Sequence, residues 1–412
     1  MSRILYLHQH FSTPEGGTAT RSYAQARALA RAGHEVTVAT GRFAGAETGL
    51  SGPFRFGRRE GMVDGFRVVE WDIPYEGGMG LGARGLAFAR YALRALPPAL
   101  SGHDLVIASS TPLSVAVPAL LARRLRGTPF LFEMRDPWPE LPRALGLRNR
   151  PILAAMEALA GAACREASGV VALSEGMAEL ARARGAKRVE VIGQGCDLDL
   201  FGPHISAWRP EEAASHEALA VYAGAHGTAN GLGLLLEAAA RLRSAGEARI
   251  RIVLVGQGPA KAALMREALR RGLRNVSFVP PLPKRELAGL LAGSQIGLLC
   301  LAPVEEFAEW TAPNKLMDFL AAGLPVVSNL PGAAARLLEE GACGVTVQPR
   351  DAEALAAALV RLAARPGERI TMGRAARELA QRRLDRRFLA ARFVAAAETA
   401  LGAPPRPFEA TA

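Results

Sequence analysis

Lysine is nearly absent from this chain: Lys187, Lys261, Lys284 and Lys315 stand against 46 arginines in 412 residues. Alanine and glycine are abundant, so the arginine excess carries the mark of GC-rich coding. A formal net charge of +11 raises nucleic acid as a partner. No basic stretch is interleaved with aromatics, however, and nucleic acid is not expected. Cysteine is also scarce. Cys164, Cys196, Cys300 and Cys343 form no CxxC pair and no metal-ligand spacing, which predicts reduced core thiols in a cytoplasmic protein. No secretory leader is read in the first residues, because the apolar run at 4–7 is too short. Residues 105–122 and 287–304 each lack charge over eighteen positions, but both contain turn formers. They read as strand–turn–helix or helix–turn–strand in a buried sheet rather than as membrane spans.

Half of the residues are hydrophobic, enough for two cores at this length. Strand signals alternate with helical ones, the pattern of parallel sheets covered on both faces. Strands are expected at 3–8, 35–39, 67–72, 104–109, 129–133, 169–173 and 189–192. A second set is expected at 218–223, 250–255, 276–279, 295–301, 325–328 and 345–347. The fold class is therefore α/β, with two doubly wound domains, 1–195 and 203–385, joined by a turn-rich segment. A final amphipathic helix at 386–401 is expected to pack back on the first domain. Ligands of such folds bind outside the carboxyl ends of the strands.

The most informative stretch is 309–329, EWTAPNKLMDFLAAGLPVVSN. Thr311 is placed to cap a helix, Pro313 sits where no donor is needed, and the helix runs to Gly323. Asn314, Lys315 and Asp318 share one arc of it, opposite Leu316, Phe319 and Leu320. A helix N-terminus suits phosphate, Lys315 adds a cation, and Asp318 offers a carboxylate to a ribose diol. A solvated surface face is the competing reading. Three glycine-bearing loops follow predicted strands: Gly16-Gly17 with Arg21 just after, Gly224 to Leu232, and Gly256-Gln257-Gly258. Each suits close approach to an anion, and each serves equally as a tight βα turn. The segment Glu133-Met134-Arg135-Asp136-Pro137-Trp138 puts three charges at a buried strand end. It forms either an ion pair or an acceptor-lining cluster in which Asp136 orients or deprotonates a hydroxyl. His8 and His10 lack a third ligand, so no metal is expected. Residues 83–100 read as a basic amphipathic helix, able to lie on an anionic membrane or simply to cover a domain.

Together these segments resemble glycosyltransferase family 4 of the GT-B fold. The resemblance runs through the opening LHQHFSTPEGGTATRSYAQARALARAGHEVTVAT, then DLVIASSTPLS, EVIGQGCDLDLF and APNKLMDFLAAGLPVV. MRDPWPE is similar to a segment of the L-fucosamine transferases of surface polysaccharide assembly. The resemblance implies a nucleotide-diphosphate sugar donor, expected to be a UDP-sugar, held by the second domain. It implies an acceptor, lipid-linked saccharide or glycan, on the first, and metal-independent transfer with retention and no cofactor. Asp318 takes the place of the second Glu of the family's E-x7-E pattern. Trp310 stands where the first would be, with Glu309 the nearest carboxylate. The family's Arg/Lys phosphate clamp is missing from 224–232, and Lys315 is the residue placed to replace it. The catalytic candidates are Asp136, Glu309 and Lys315. The donor set is Gly224, Gly256, Thr311, Pro313, Asn314, Lys315 and Asp318. The acceptor set is Gly16, Gly17, Arg21, Arg135 and Asp136. Peripheral contact with the inner face of the cell membrane is the matching location. Three alternatives remain open: a sugar-nucleotide epimerase or hydrolase, a non-catalytic nucleotide-sugar-binding subunit and, more distantly, an NAD-dependent oxidoreductase.

Overall fold

The structure, a computed structural model, describes residues 1–17, 20–76 and 78–402. Contacts group the chain into two units. The first comprises Met1–Gly193, Glu309–Thr311 and the chain from Arg387 onward; the second comprises Gln194–Ala308 and Ala312–Arg386.

The first unit holds β1 (Arg3–Leu7), β2 (Glu35–Phe43), β3 (Arg58–Val63), β4 (Phe66–Tyr75), β5 (Leu105–Ser109), β6 (Phe130–Met134), β7 (Gly169–Ala172) and β8 (Val189–Val191). They lie in the order β3-β4-β2-β1-β5-β6-β7-β8. The pairings from β4 through β8 are parallel, and β3 alone runs antiparallel, on β4. The β3 strand was not anticipated. Its sequence, RREGMV, carries three charges, and an edge strand with one solvated face does not need an apolar run. Alternation puts Ile4, Tyr6, Val36, Val38, Leu105 and Ile107 into one buried cluster. The helix Arg386–Ala400 adds Leu389, Phe393 and Ala397 to that cluster, a stripe at four-residue spacing.

The second unit holds β9 (Ala218–Ala223), β10 (Ile250–Val255), β11 (Val276–Val279), β12 (Ile296–Leu299), β13 (Val326–Ser328) and β14 (Gly344–Thr346). Their order, β11-β10-β9-β12-β13-β14, is parallel throughout. This is the 3-2-1-4-5-6 arrangement, whose direction reverses between β9 and β12 and opens a crevice at their carboxyl ends. The equivalent reversal in the first unit lies between β1 and β5.

Both charge-free segments resolve inside these sheets. Residues 105–122 form β5, a short turn and the start of the helix Ala116–Arg126. Residues 287–304 continue the helix Lys284–Ala292 and then form β12. Among the described residues, no helix is long and apolar enough to cross a membrane. All four cysteines are buried free thiols.

Candidate functional site

In the second unit, the helix carrying the most informative stretch spans Asn314–Ala322. It starts later than expected. Pro313 occupies the N-cap position, extended at φ −70° and ψ 122°, so Thr311 lies two residues before the cap rather than at it. The helix ends at Gly323, as its left-handed φ of 72° requires.

Lys315 points at the end of β9. Its Nζ donates to the Tyr222 hydroxyl at 2.8 Å and to Asn230 Oδ1 at 3.2 Å, and it lies 4.2 Å from the centre of the Tyr222 ring. Tyr222 in turn donates to Ala225 O at 2.9 Å. A Cβ on Gly224 would stand 3.2 Å from Lys315 Nζ, so the glycine leaves the ammonium its path. Burial lowers the Lys315 pKa to about 8. The next loop is fitted to this one. A Cβ on Gly256 would lie 1.9 Å from Gly224 O, a clash that only glycine avoids. Lys261, which sequence reasoning passed over, donates to Gly256 O at 2.7 Å and to Val279 O at 3.2 Å. Both lysines act on the ring of buried His226, which burial and then Lys261 and Lys315 push down to about 4. Two of the chain's four lysines thus converge on one loop cluster, and lysine scarcity was the signal for both. Beside this cluster an open cleft of about 500 Å³ is lined by Gly227, Thr228, Gly231, Leu301, Pro303 and Arg350, among others.

Asp318 departs from the expected outward arc. It is 5% exposed and forms an ion pair with Lys284 at the start of the helix Lys284–Ala292. Desolvation raises its pKa while Lys284 pulls it down. Asp318 is therefore a buried tie between two helices, and the polar face presented outward reduces to Asn314 and Lys315.

In the first unit the charged strand end is organised around Glu133, which is fully buried. Its carboxylate accepts from Arg21 Nε at 2.7 Å, Gln25 Nε2 at 2.9 Å and Ser109 Oγ at 2.6 Å, and lies 3.1 Å from the Tyr6 hydroxyl. Burial alone would raise its pKa. Arg21, Arg135 and the hydrogen bonds prevail and hold it at about 2. Arg21 is 3% exposed and also donates to Ile192 O, at 2.8 Å, and to Gly193 O. It is a structural cation and not the acceptor contact expected. The tight approach at Gly16 is likewise internal: a Cβ there would meet Ser12 Oγ at 2.3 Å and Glu47 N at 2.7 Å. Gly17 donates to Gly45 O at 3.0 Å. Thr18 and Ala19 of the same motif lie outside the described residues.

Arg135 pairs with no carboxylate of its own segment. It donates from Nη1 to His8 Nε2 at 2.7 Å, which leaves the ring proton on Nδ1, 2.8 Å from Ser22 Oγ. His8 is held neutral by burial and by Arg135, well below the usual range, and His10 is lowered to about 3 for the same reasons. The His10 ring lies 4.5 Å from Tyr75 and 4.9 Å from Phe43. Asp136 accepts from the Thr111 hydroxyl, and Ser110 Oγ accepts from Arg135 N at 3.1 Å. His8, Arg135 and Asp136 therefore meet at the carboxyl ends of β1, β5 and β6. Two buried ring nitrogens, His10 Nε2 and Trp138 Nε1, are left without a partner. Glu309 groups with this unit, its backbone carbonyl accepting from Ser174 Oγ at 2.8 Å.

Residues 16–195 match the model of a glycosyl transferase 4-like domain, and residues 217–365 match that of the glycosyl transferases group 1. The chain is 31% identical over 339 residues to a D-inositol 3-phosphate glycosyltransferase of Kribbella flavida, covering 75% of each chain. It is 32% identical over 173 residues to the putative colanic acid biosynthesis glycosyl transferase WcaI of Escherichia coli K12, covering 40% of this chain and 39% of that one. Among solved structures, sucrose-phosphate synthase from Thermosynechococcus elongatus superposes with a TM-score of 0.73 at 17% identity, over 95% of this chain and 97% of that one. Anabaena HepE in complex with UDP-glucose gives 0.66 at 17% identity, over 97% and 100%. Two largely parallel sheets, and family matches spanning both, make this chain a member of the family 4 glycosyltransferases of the GT-B fold.

Proposed function

We propose that this glycosyltransferase moves a hexosyl or N-acetylhexosaminyl group, with retention and without metal, from a nucleotide-diphosphate sugar to a lipid-linked or glycan acceptor. The setting is bacterial surface polysaccharide synthesis at the inner face of the cell membrane. The observation that carries the reading is the convergence of Lys315 and the start of its helix on the Gly224 loop at the end of β9. A half-buried ammonium beside a helix N-terminus is suited to a diphosphate, whose negative charge grows as the sugar departs. Asn314 and Lys315 meet the donor in this reading, while Asp318 holds their helix through Lys284. UDP is the expected nucleotide, in keeping with the UDP-glucose complex of HepE, and the match to WcaI supports the polysaccharide setting. On the acceptor side, Asp136 and Arg135 are the groups that position a hydroxyl. Retention without a covalent nucleophile calls for front-face attack, in which the acceptor approaches on the side the diphosphate leaves and the protein chiefly positions both.

A thermal-shift panel of UDP-, GDP-, ADP- and dTDP-sugars tests the donor, because a bound ligand raises melting by mass action. UDP-sugars should raise it most; no shift with any of the four refutes the assignment. Donor incubated without acceptor should survive, whereas steady consumption would favour a hydrolase or epimerase. Lys315→Ala should reduce turnover far more than it weakens acceptor binding.

A further inference from the structure

Three of the four lysines lie in the second unit; Lys187 alone belongs to the first. It stands in the run RARGAKR at 182–188, which leads into β8. Two cations of that run are engaged elsewhere. Arg182 lies 3.9 Å from Glu175, and Arg184 is buried between Glu140 and Glu157. Lys187 and Arg188 instead line a cavity of about 440 Å³ together with Arg123, Arg165 and Ser168. Ser168 directly precedes β7 and Arg188 directly precedes β8. The cavity therefore opens at the amino ends of these parallel strands, at the opposite edge of the sheet from His8, Arg135 and Asp136.

Arg165 is set in place by shape rather than by an ion pair. It is the penultimate residue of the helix Arg150–Glu166, and its side chain lies back over Gly161 and against Gly185 of the turn before β8. A Cβ on Gly161 would stand 2.9 Å from Arg165 Nη1, and one on Gly185 would stand 2.9 Å from its Cγ. Only glycine at both positions leaves the arginine its seat. The carboxylates of this region are taken by other arginines. Glu166, which also lines the cavity, accepts from Arg124 at 3.0 and 2.5 Å, and Glu190 pairs with Arg392 at 2.9 Å. Arg165, Lys187 and Arg188 have no ion pair among the described residues.

Two helices end here, Ala116–Arg126 and Arg150–Glu166, and their exposed carbonyls oppose an anion. Each helix end amounts to about half a negative charge. Arg123, Arg165, Lys187 and Arg188 supply four positive ones, so the cavity keeps an excess of roughly three. No aromatic residue and no large apolar one lines it. A nucleobase would find nothing to stack on, and a bilayer nothing to receive its chains. The volume is that of a small-molecule site.

We propose that this cavity binds a compact polyphosphate anion, a di- or triphosphate group carried free or on a nucleotide. Arg165 provides a planar fork of donors for phosphate oxygens, Lys187 and Arg188 close the charge from the β8 side, and the Ser168 hydroxyl adds a donor. The ligand would tie together the ends of two helices and the turn at Gly185. The site lies wholly within the first unit and does not rest on the donor reading, because its binding is followed without turnover.

The test is calorimetric titration of the full chain with sodium tripolyphosphate and, separately, with ATP. Tripolyphosphate should bind, raise melting and weaken with added salt. Arg165→Gln with Lys187→Gln should weaken it about 25-fold, roughly fivefold per exposed charge, while Arg182→Gln, outside the cavity, should leave it unchanged. Gly161→Ala is the sharper variant. It alters no charge and favours the helix, so melting should hold or rise, yet the new methyl displaces Arg165 and binding should fall several-fold. Loss of ATP binding in step with tripolyphosphate would identify a nucleotide-borne phosphate; binding of tripolyphosphate alone would identify the free anion. No binding of either, equal binding by the double variant, full binding by Gly161→Ala, or loss in Lys315→Ala with retention in the cavity variants would overturn the proposal.

Discussion

Arg21, at the start of the helix Arg21–Arg31, donates to Glu133 at the end of β6 across 2.7 Å, with both side chains out of solvent. Breaking such a pair from one side leaves an uncompensated charge. Glu133→Gln should therefore destabilise the chain by about 3–5 kcal/mol, measured by urea unfolding. The folded pKa of about 2 lies below the ordinary 4.5. The stability this carboxylate contributes is thus present above pH 4.5 and lost as pH falls from there towards 2. Glu133→Gln should flatten unfolding in that window. An unchanged pH slope would contradict the assignment.

Lys315 should make donor binding pH-dependent. With its pKa at about 8, the free amine is largely neutral at pH 9 and must take up a proton to pair with a diphosphate. UDP affinity should fall as pH rises through 8, with proton uptake visible in calorimetry in buffers of different ionisation heat. Lys315→Ala should abolish the uptake and weaken UDP binding by about 10- to 100-fold, the worth of a charged hydrogen bond.

His8 and His10 are held neutral by burial and by Arg135. Both folded pKa values are depressed below 6.5, so their contribution is present above that pH and is lost as pH falls below it, for His10 towards about 3. Melting should begin to drop below pH 6.5, above the window in which Glu133 contributes. His10→Phe, which keeps a ring between Phe43 and Tyr75, should reduce the drop.

Phe393 of the last helix stacks on Tyr6 of β1, with centroids 6.0 Å apart and planes 17° from parallel. Both are fully buried. Phe393→Ala should cost about 3–5 kcal/mol, seen in denaturant midpoint, whereas Phe388→Ala, at an exposed position of the same helix, should cost little.

The two-sheet architecture was legible in the chain because parallel strands buried on both faces read as short apolar runs. β3 was not legible, since a charged edge strand follows no such run. Thr311 looks like a cap because TAP resembles a helix start, yet Pro313 is itself extended and the helix begins only after it.

What the sequence alone determined is local and periodic: where strands and helices fall, that the chain builds two doubly wound sheets, and that Lys315 shares a helix start with Asn314. Which charges meet was decided only by tertiary structure. Arg21 finds Glu133 from 112 positions away, Asp318 finds Lys284 from 34, and Lys315 finds Tyr222 from 93. A buried charge takes whichever opposite charge or dipole the sheet order brings beside it, and that order is a property of strand pairing rather than of spacing along the chain.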